Sequence, residues 1–228
     1  MSHSAAATSR SCLPRTFAGK NGLPIELHRL PDDAGQCLIE MYLAFQPRNS
    51  FQGLPPIKDE VCVRWVREML ATGIHVIATA AGKQGTVPIF VPAKMGLSPS
   101  PHEGTPPLVG HAALFPVNDK KCEMLVVVCP GFQNLGIGTE LVRSCIELAD
   151  ELGFERIWLP VDATNVRARH VYRKCGFEYV SNEQGRELDM NCDVRSRRPK
   201  AIHDLHGPAP RVPAPCFHFP CLSPSVEQ

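Results

Sequence analysis

Long apolar runs are missing from this chain. The longest, Met124 to Cys129, is six residues, against the ~20 that a membrane-spanning helix needs. The segment Met1 to Ser11 is small and polar and holds no hydrophobic signal core, so no membrane partner is expected. Net charge is nearly absent too. With 24 basic and 23 acidic side chains and a formal charge of +1, nothing drives electrostatic binding to nucleic acid, and no nucleic-acid partner is expected. The ten cysteines include no Cys-x-x-Cys pair and no zinc-finger spacing. No metal site is expected, and a reducing cytoplasm is the expected compartment. Cys129, Cys145 and Cys175 fall on apolar positions of predicted elements, where free Cys behaves as a small hydrophobe. The Cys216-Phe-His-Phe-Pro-Cys221 cluster is read as irregular tail.

Proline is abundant instead. The 22 prolines are about twice the roughly 5% usual share, and they are unevenly spread. Residues 82–107 hold six and residues 199–228 hold seven, but residues 108–198 hold only three. Proline removes a backbone donor and fixes φ, so it avoids helix interiors and central strands. The folded core is therefore expected in 108–198, with support from the N-terminal third. Hydrophobic residues make up 43% of the chain, enough for a core and too many for global disorder. The organisation expected is a flexible N-terminus at 1–22, one domain at 23–190 interrupted by a Pro/Gly-rich insertion at 82–107, and a disordered Pro-rich tail at 191–228.

Periodicity places the elements. Residues 24–30 alternate as a strand. A helix capped by Asp32 or Asp33 runs to about Phe45, and a second, capped by Asp59, ends before Gly73. Strands follow at 74–80, 109–117 and 123–128, the last two joined as a hairpin through the polar turn Asn118-Asp119-Lys120-Lys121. Gly136 to Leu152 is a helix with Ile137, Leu141, Cys145, Leu148 and Leu152 on one face. A strand at 156–161, a helix capped by Asn165 and ended by Gly176, and strands at 177–180 and 187–190 complete the order. The crossover around 123–161 is expected to be parallel, in a mixed α/β sheet with helices on both faces.

Chemistry concentrates after the strand ending at Val128. The segment Pro130-Gly131-Phe132-Gln133-Asn134-Leu135-Gly136-Ile137-Gly138-Thr139 is a glycine-bearing loop opening straight into a helix. Backbone amides and the helix dipole make such a start an anion site, and the glycines allow a pyrophosphate to approach. A P-loop is excluded because Thr139-Glu140 follows Gly138 in place of Lys-Ser/Thr. A dinucleotide fingerprint, with Asp162 as the ribose acid, is weakened by Leu141 at its third glycine and by the antiparallel preceding strands.

Two motifs together match a known pattern. Gln133-x-x-Gly136-x-Gly138, followed by Asn165-x-x-Ala168-x-x-x-Tyr172-x-x-x-Gly176-Phe177, resembles the GNAT superfamily of acyl-CoA-dependent N-acyltransferases. The likeness covers about 24–190, and Arg29-Leu30-Pro31-Asp32-Asp33 resembles the family's first strand and helix. The resemblance implies a mostly antiparallel central sheet whose two central strands splay, leaving a slot for pantetheine. Pro160 fits that splay, where a missing amide has no partner to lose. It implies acetyl-CoA as co-substrate and an amine-bearing small molecule or peptide as acceptor, and it is compatible with a homodimer. Val126, Val127 and Val128 would offer backbone groups to the pantetheine arm and the thioester. Gln133, Asn134, Leu135, Gly136, Ile137, Gly138 and Thr139 would hold the pyrophosphate, and Asn165 would contact the cofactor. Tyr172 would protonate the leaving thiolate. Glu123, at the start of the strand ending at Val128, is the candidate base, acting through a water, and its alternative reading is a solvated strand-end carboxylate; His111 on the adjacent strand is the second candidate. Arg167, Arg169, Arg173 and Lys174 are read either as neutralising the cofactor's ribose phosphate or as a solvated helix face. The competing functions are a non-catalytic coenzyme A-binding sensory module and a nucleotide-dependent oxidoreductase.

Overall fold

The structure is a computed structural model and describes residues 12–48, 54–80, 106–180 and 185–195. Its elements are β1 (Arg15–Ala18), β2 (Pro24–Arg29), α1 (Gly35–Ala44), α2 (Asp59–Thr72), β3 (Ile74–Ala80), β4 (Leu108–Asn118), β5 (Lys121–Val128), α3 (Ile137–Glu151), β6 (Arg156–Asp162), α4 (Val166–Lys174), β7 (Glu178–Tyr179) and β8 (Glu187–Asp193). The strands form one eight-stranded sheet in the order β1-β2-β3-β4-β5-β6-β8-β7. Every neighbouring pair is antiparallel except β5–β6. That pair is joined through α3, and a helical crossover is what allows parallel strands to be neighbours.

Side-chain alternation on the central strands decides the layering. On β4, Ala112 and Leu114 join a core with α3 and α4, while Ala113 and Phe115 join a second core with α1 and α2. All four are buried, so the sheet is covered on both faces. Helix α3 buries Ile137, Leu141, Val142, Cys145, Leu148 and Ala149, and each large apolar side chain so buried contributes ~1.5–3 kcal/mol. The β4–β5 turn is tightened by Asn118, whose Oδ1 accepts from the amides of Lys120 and Lys121 at 3.0 and 2.9 Å. This is the local bonding that suits Asn to tight turns.

The central strands do splay. β5 and β6 pair only from Lys121, Cys122 and Glu123 to Arg156, Ile157 and Trp158, although β5 continues to Val128 and β6 to Asp162. Pro160 lies beyond the last β5 pair but remains in register with Asp189 of β8.

Several expectations need correction. Residues 15–18, assigned to a flexible N-terminus, form edge strand β1 against β2. Four residues in a half-buried edge give too short an alternation to read. Neither Asp32 nor Asp33 caps α1, which begins after Ala34 without a side-chain cap, and Asp59 lies in the first turn of α2, whose N-cap is Lys58. Leu152 leaves the α3 stripe and is 37% exposed, because the helix has already ended. Strand β8 runs through Asp193, and Cys192 and Val194 are buried, so the domain extends past 190. The insertion at 82–107, apart from Pro106 and Pro107, and the tail beyond Arg195 with its Cys216–Cys221 cluster lie outside the described residues, as do residues 1–11.

Candidate active site

Where β5 and β6 part, a cleft of about 2050 Å³ opens, larger than the roughly 300–1,000 Å³ of a drug-sized pocket. One end is the turn before α3. A 3-10 turn at Pro130–Phe132 follows β5, then Asn134 and Gly136 take left-handed conformations with φ 64° and 94°. The amides of Ile137, Gly138 and Thr139 open α3, where first-turn N–H groups have no intrahelical acceptor. A Cβ built on Gly136 meets nothing within 4 Å, and one on Gly138 meets only Val128 Cγ2 at 3.6 Å. The amides therefore border open space, a cradle suited to a pyrophosphate. Gly136→Val places a β-branched residue at φ 94° and a side chain in the cradle. The expected result is a stability loss of ~1–2 kcal/mol, which thermal unfolding of parent and variant checks.

The backbone of β5 divides by parity. The Cys129 amide donates to Val109 O at 3.0 Å across β4, so Val127, opposite His111 in the same register, also spends its peptide groups on β4. The peptide groups of Met124, Val126 and Val128 face the slot. Val128 O confirms this side by accepting from Gln133 Nε2 at 3.2 Å. Val127 buries its side chain against the α1–α2 layer and turns its peptide groups to β4, although it too borders the cleft. Val126 and Val128 also border the cleft.

Glu123 stands at the vertex of the splay, paired across the sheet with Phe115 on β4 and Trp158 on β6. It lines the cleft with Trp65, Trp158, Glu187 and Asp189. Burial pushes its carboxyl up to about 7; Lys121 opposes this, and Glu187 and Asp189 add to it. The Lys121 ammonium lies 5.1 Å from the Trp158 ring centroid. Sequence reading missed Trp158, Glu187 and Asp189, because only the sheet register brings them beside Glu123.

Tyr172 lines the cleft from α4, is 9% exposed and packs on Phe177 at 5.7 Å between ring centroids. Burial, with a smaller effect of Cys145, raises its hydroxyl to about 12. Asn165 is the N-cap of α4, its Oδ1 accepting from the Ala168 amide at 3.1 Å. It also borders the cleft. His111, the second candidate base, is fully buried; its Nδ1 lies 2.7 Å from Tyr42 Oη and its Nε2 lies 3.0 Å from His75 Nδ1. Both ring nitrogens are engaged away from the slot, so it holds the core and is not a base in the cleft. The basic cluster of α4 also separates. Arg169 binds Ala163 O at 2.6 Å and Tyr179 Oη at 2.8 Å, whereas Arg167 and Lys174 border the cleft.

Comparison with known proteins agrees with this geometry. The profile of the acetyltransferase (GNAT) family matches residues 92–177. An uncharacterized N-acetyltransferase of Mycobacterium bovis is 32% identical over 78 residues, 34% of this chain and 49% of that protein. The chain thus spans about half the length of the curated relatives it matches. Among solved structures, the GNAT domain of S. lividans PAT superposes with a TM-score of 0.59 at 12% identity, covering 79% of this chain and 96% of that one. Spermidine N-acetyltransferase from Vibrio cholerae, in complex with CoA and spermine, superposes with a TM-score of 0.53 at 17% identity, covering 75% and 96%. These likenesses establish the fold. A doubly wound dinucleotide fold is not present, since only one strand pair of the sheet is parallel.

Proposed function

We propose that this chain, which matches the acetyltransferase (GNAT) family over residues 92–177, moves an acetyl group from acetyl-CoA to a primary amine of a small molecule or peptide. One observation carries this reading: the amide-lined turn at 133–139 and the carboxyl of Glu123 open into the same cleft, at the place where β5 and β6 separate. Acetyl-CoA supplies the acyl thioester when bound. The open amides of 134–139 hold its pyrophosphate, and the slot-facing peptide groups of Val126 and Val128 align its pantetheine arm. Asn165 borders the same slot while it caps α4.

Glu123 takes the proton of the entering ammonium, directly or through a water, and so frees the amine for direct attack. A carboxyl near 7 suits a base working at neutral pH, and such a transfer is worth roughly 10²–10⁴-fold. A slot-facing β5 amide polarises the carbonyl oxygen as charge develops on it. Tyr172 donates a hydrogen bond to the departing sulfur. Its hydroxyl, raised to about 12, stays protonated beside a thiol of ordinary pKa ~8.5. It therefore acts by hydrogen bonding, with no need for complete proton transfer.

The test is thiol release from acetyl-CoA across a panel of primary amines and amine-terminated peptides, with product mass. Turnover with at least one acceptor and acetylated product are expected. Tyr172→Phe is expected to lower kcat by about tenfold to a hundredfold, the value of one charge-assisted hydrogen bond at ~1.5–3 kcal/mol, with acetyl-CoA affinity retained. No turnover with any amine, together with tight acetyl-CoA binding, would instead indicate a module that only binds the cofactor.

A further inference from the structure

We propose that Lys121 is an internal acceptor: with acetyl-CoA bound and no other amine in the cleft, the chain acetylates its own Lys121 Nζ. The inference rests on the acetyl-CoA reading above and adds to it a modification site that regulates the same cleft. In the sequence Lys121 closes the polar turn Asn118-Asp119-Lys120-Lys121, and nothing there separates it from Lys120.

The two lysines part in the structure. The Lys120 side chain is 72% exposed, with its Nζ 3.2 Å from Glu155, as a long cationic side chain ordinarily keeps its head in water. Lys121 opens β5 and reaches the other way. Its Nζ lies 5.1 Å from the Trp158 ring centroid, and Trp158 is the β6 partner of Glu123, two residues further along β5. The side chain therefore leans from the strand's start toward the splay, and it lines the cleft together with Glu123 and Trp158. The face of the sheet matters next. Side chains two apart on a strand share a face. Lys121 and Glu123 thus point to the side on which Phe115, the β4 partner of Glu123, joins the α1–α2 layer. The turn at 133–139 leads into α3, which packs on the opposite face. A thioester anchored at that turn and reaching through the slot would meet a base and a primary amine on the same side. Lys121 and Glu123 already act on each other, since the ammonium lowers the Glu123 carboxyl against burial, Glu187 and Asp189.

The ammonium loses two protons in the transfer. Glu123 takes the first and passes it to solvent. Nζ then attacks the thioester carbon, the C–N bond forms as the C–S bond breaks, and the second proton ends on the departing thiolate. The neutral amide left at Lys121 no longer opposes Glu187 and Asp189 at Glu123, so the Glu123 carboxyl rises further and fewer chains hold the ionised base at neutral pH. The acetyl group also fills part of the acceptor side. Both changes oppose turnover of other amines.

Incubation of the full chain with acetyl-CoA carrying a deuterated acetyl group, in amine-free buffer, followed by peptide mass mapping over time, tests this. Lys121 is expected to gain the label about 10²- to 10⁴-fold faster than Lys120, and Glu123→Gln to remove that lead. The rate per chain is expected to stay constant on tenfold dilution of the protein. Lys121→Arg, which keeps the charge, should lose the fast-labelled site while still binding acetyl-CoA by calorimetry. Equal labelling of Lys120 and Lys121 would overturn the proposal, because it is what uncatalysed acetylation in solution gives. So would a rate that falls with dilution, which would mean transfer between molecules, or a lead that survives in Glu123→Gln. Binding of acetyl-CoA with no label at Lys121 would overturn the internal acceptor alone. Failure of the parent to bind acetyl-CoA would overturn the underlying acetyl-CoA reading.

Discussion

Glu123→Gln is expected to lower kcat by about 10²- to 10⁴-fold and to remove the acid limb of the pH–rate profile. In the parent, kcat should rise with pH up to an apparent pKa near 7, because burial and the carboxylates of Glu187 and Asp189 hold the Glu123 carboxyl there against the pull of Lys121. Glutamine keeps the shape and loses the titration. The stability effect should have the opposite sign. A carboxyl whose folded pKa is raised above the ordinary ~4.3 adds stability at acid pH that is lost as pH rises through about 7. Above that pH, the ionised and partly desolvated carboxylate opposes folding. Glu123→Gln is therefore expected to melt higher than the parent at pH 8 while it turns over more slowly. Steady-state rates from pH 5.5 to 8.5 and melting curves at pH 5 and pH 8 read both effects. A variant that is slower and also less stable at pH 8 would make Glu123 a structural carboxylate and end its assignment as the base.

The second large effect lies under the cleft. Met69 O can only accept, so His75 Nε2 carries its hydrogen toward it at 3.0 Å. His75 Nδ1 then accepts from His111 Nε2–H at 3.0 Å, and His111 Nδ1 accepts from Tyr42 O–H at 2.7 Å. One carbonyl at the end of α2 thereby sets both tautomers and ties α1 and α2 to β3 and β4. An added proton leaves one hydrogen of the chain without an acceptor. Burial holds His75 below the ordinary histidine value, against the Met69 carbonyl; burial and the neighbouring His75 hold His111 well below it.

The sign of the pH effect follows. With folded pKa values depressed, the unfolded chain binds more protons below ~6.5. The stability supplied by the neutral pair is complete above that pH and is lost as pH falls toward the folded values. With two sites, the slope reaches about 2.7 kcal/mol per pH unit. Denaturant unfolding at pH 7.5, 6.5, 5.5 and 5 is expected to show this fall, and His75→Gln combined with His111→Gln to flatten it. An unchanged slope in the double variant would assign the acid sensitivity elsewhere. Tyr42→Phe, which leaves His111 Nδ1 buried without a donor, is expected to cost ~1–3 kcal/mol at pH 7.5.

These two sites differ in how far they could be read in advance. The α3 stripe, the turn glycines, the cap at Asn165 and the parallel crossover are all local patterns, and the sequence shows them directly. The splay was legible only through family likeness and the oddity of Pro160. The division of β5 by parity was not legible. Val126, Val127 and Val128 are chemically alike, and which peptide groups face the slot depends on the β4 register. His111 looked like a possible base because a strand histidine shows neither its burial nor its partners. Those come from α1 and β3, 69 and 36 positions away. The acidic surroundings of Glu123 were hidden for the same reason, since Glu187 and Asp189 reach it through β8.

The sequence by itself determined the order of helices and strands after β1, the glycine-bearing turn before α3 and the pairing of that turn with the Asn165–Phe177 helix motif. Each is set by periodicity, glycine conformation or capping within about a dozen residues. Tertiary structure alone decided which groups in the cleft are free to react. It placed Glu123 at the vertex of the splay with a raised pKa, withdrew His111 into a closed hydrogen-bond chain, and turned the peptide groups of Val126 and Val128, not those of Val127, toward the cleft. Protonation, burial and pairing depend on neighbours through space, and strand register and helix packing supply those neighbours.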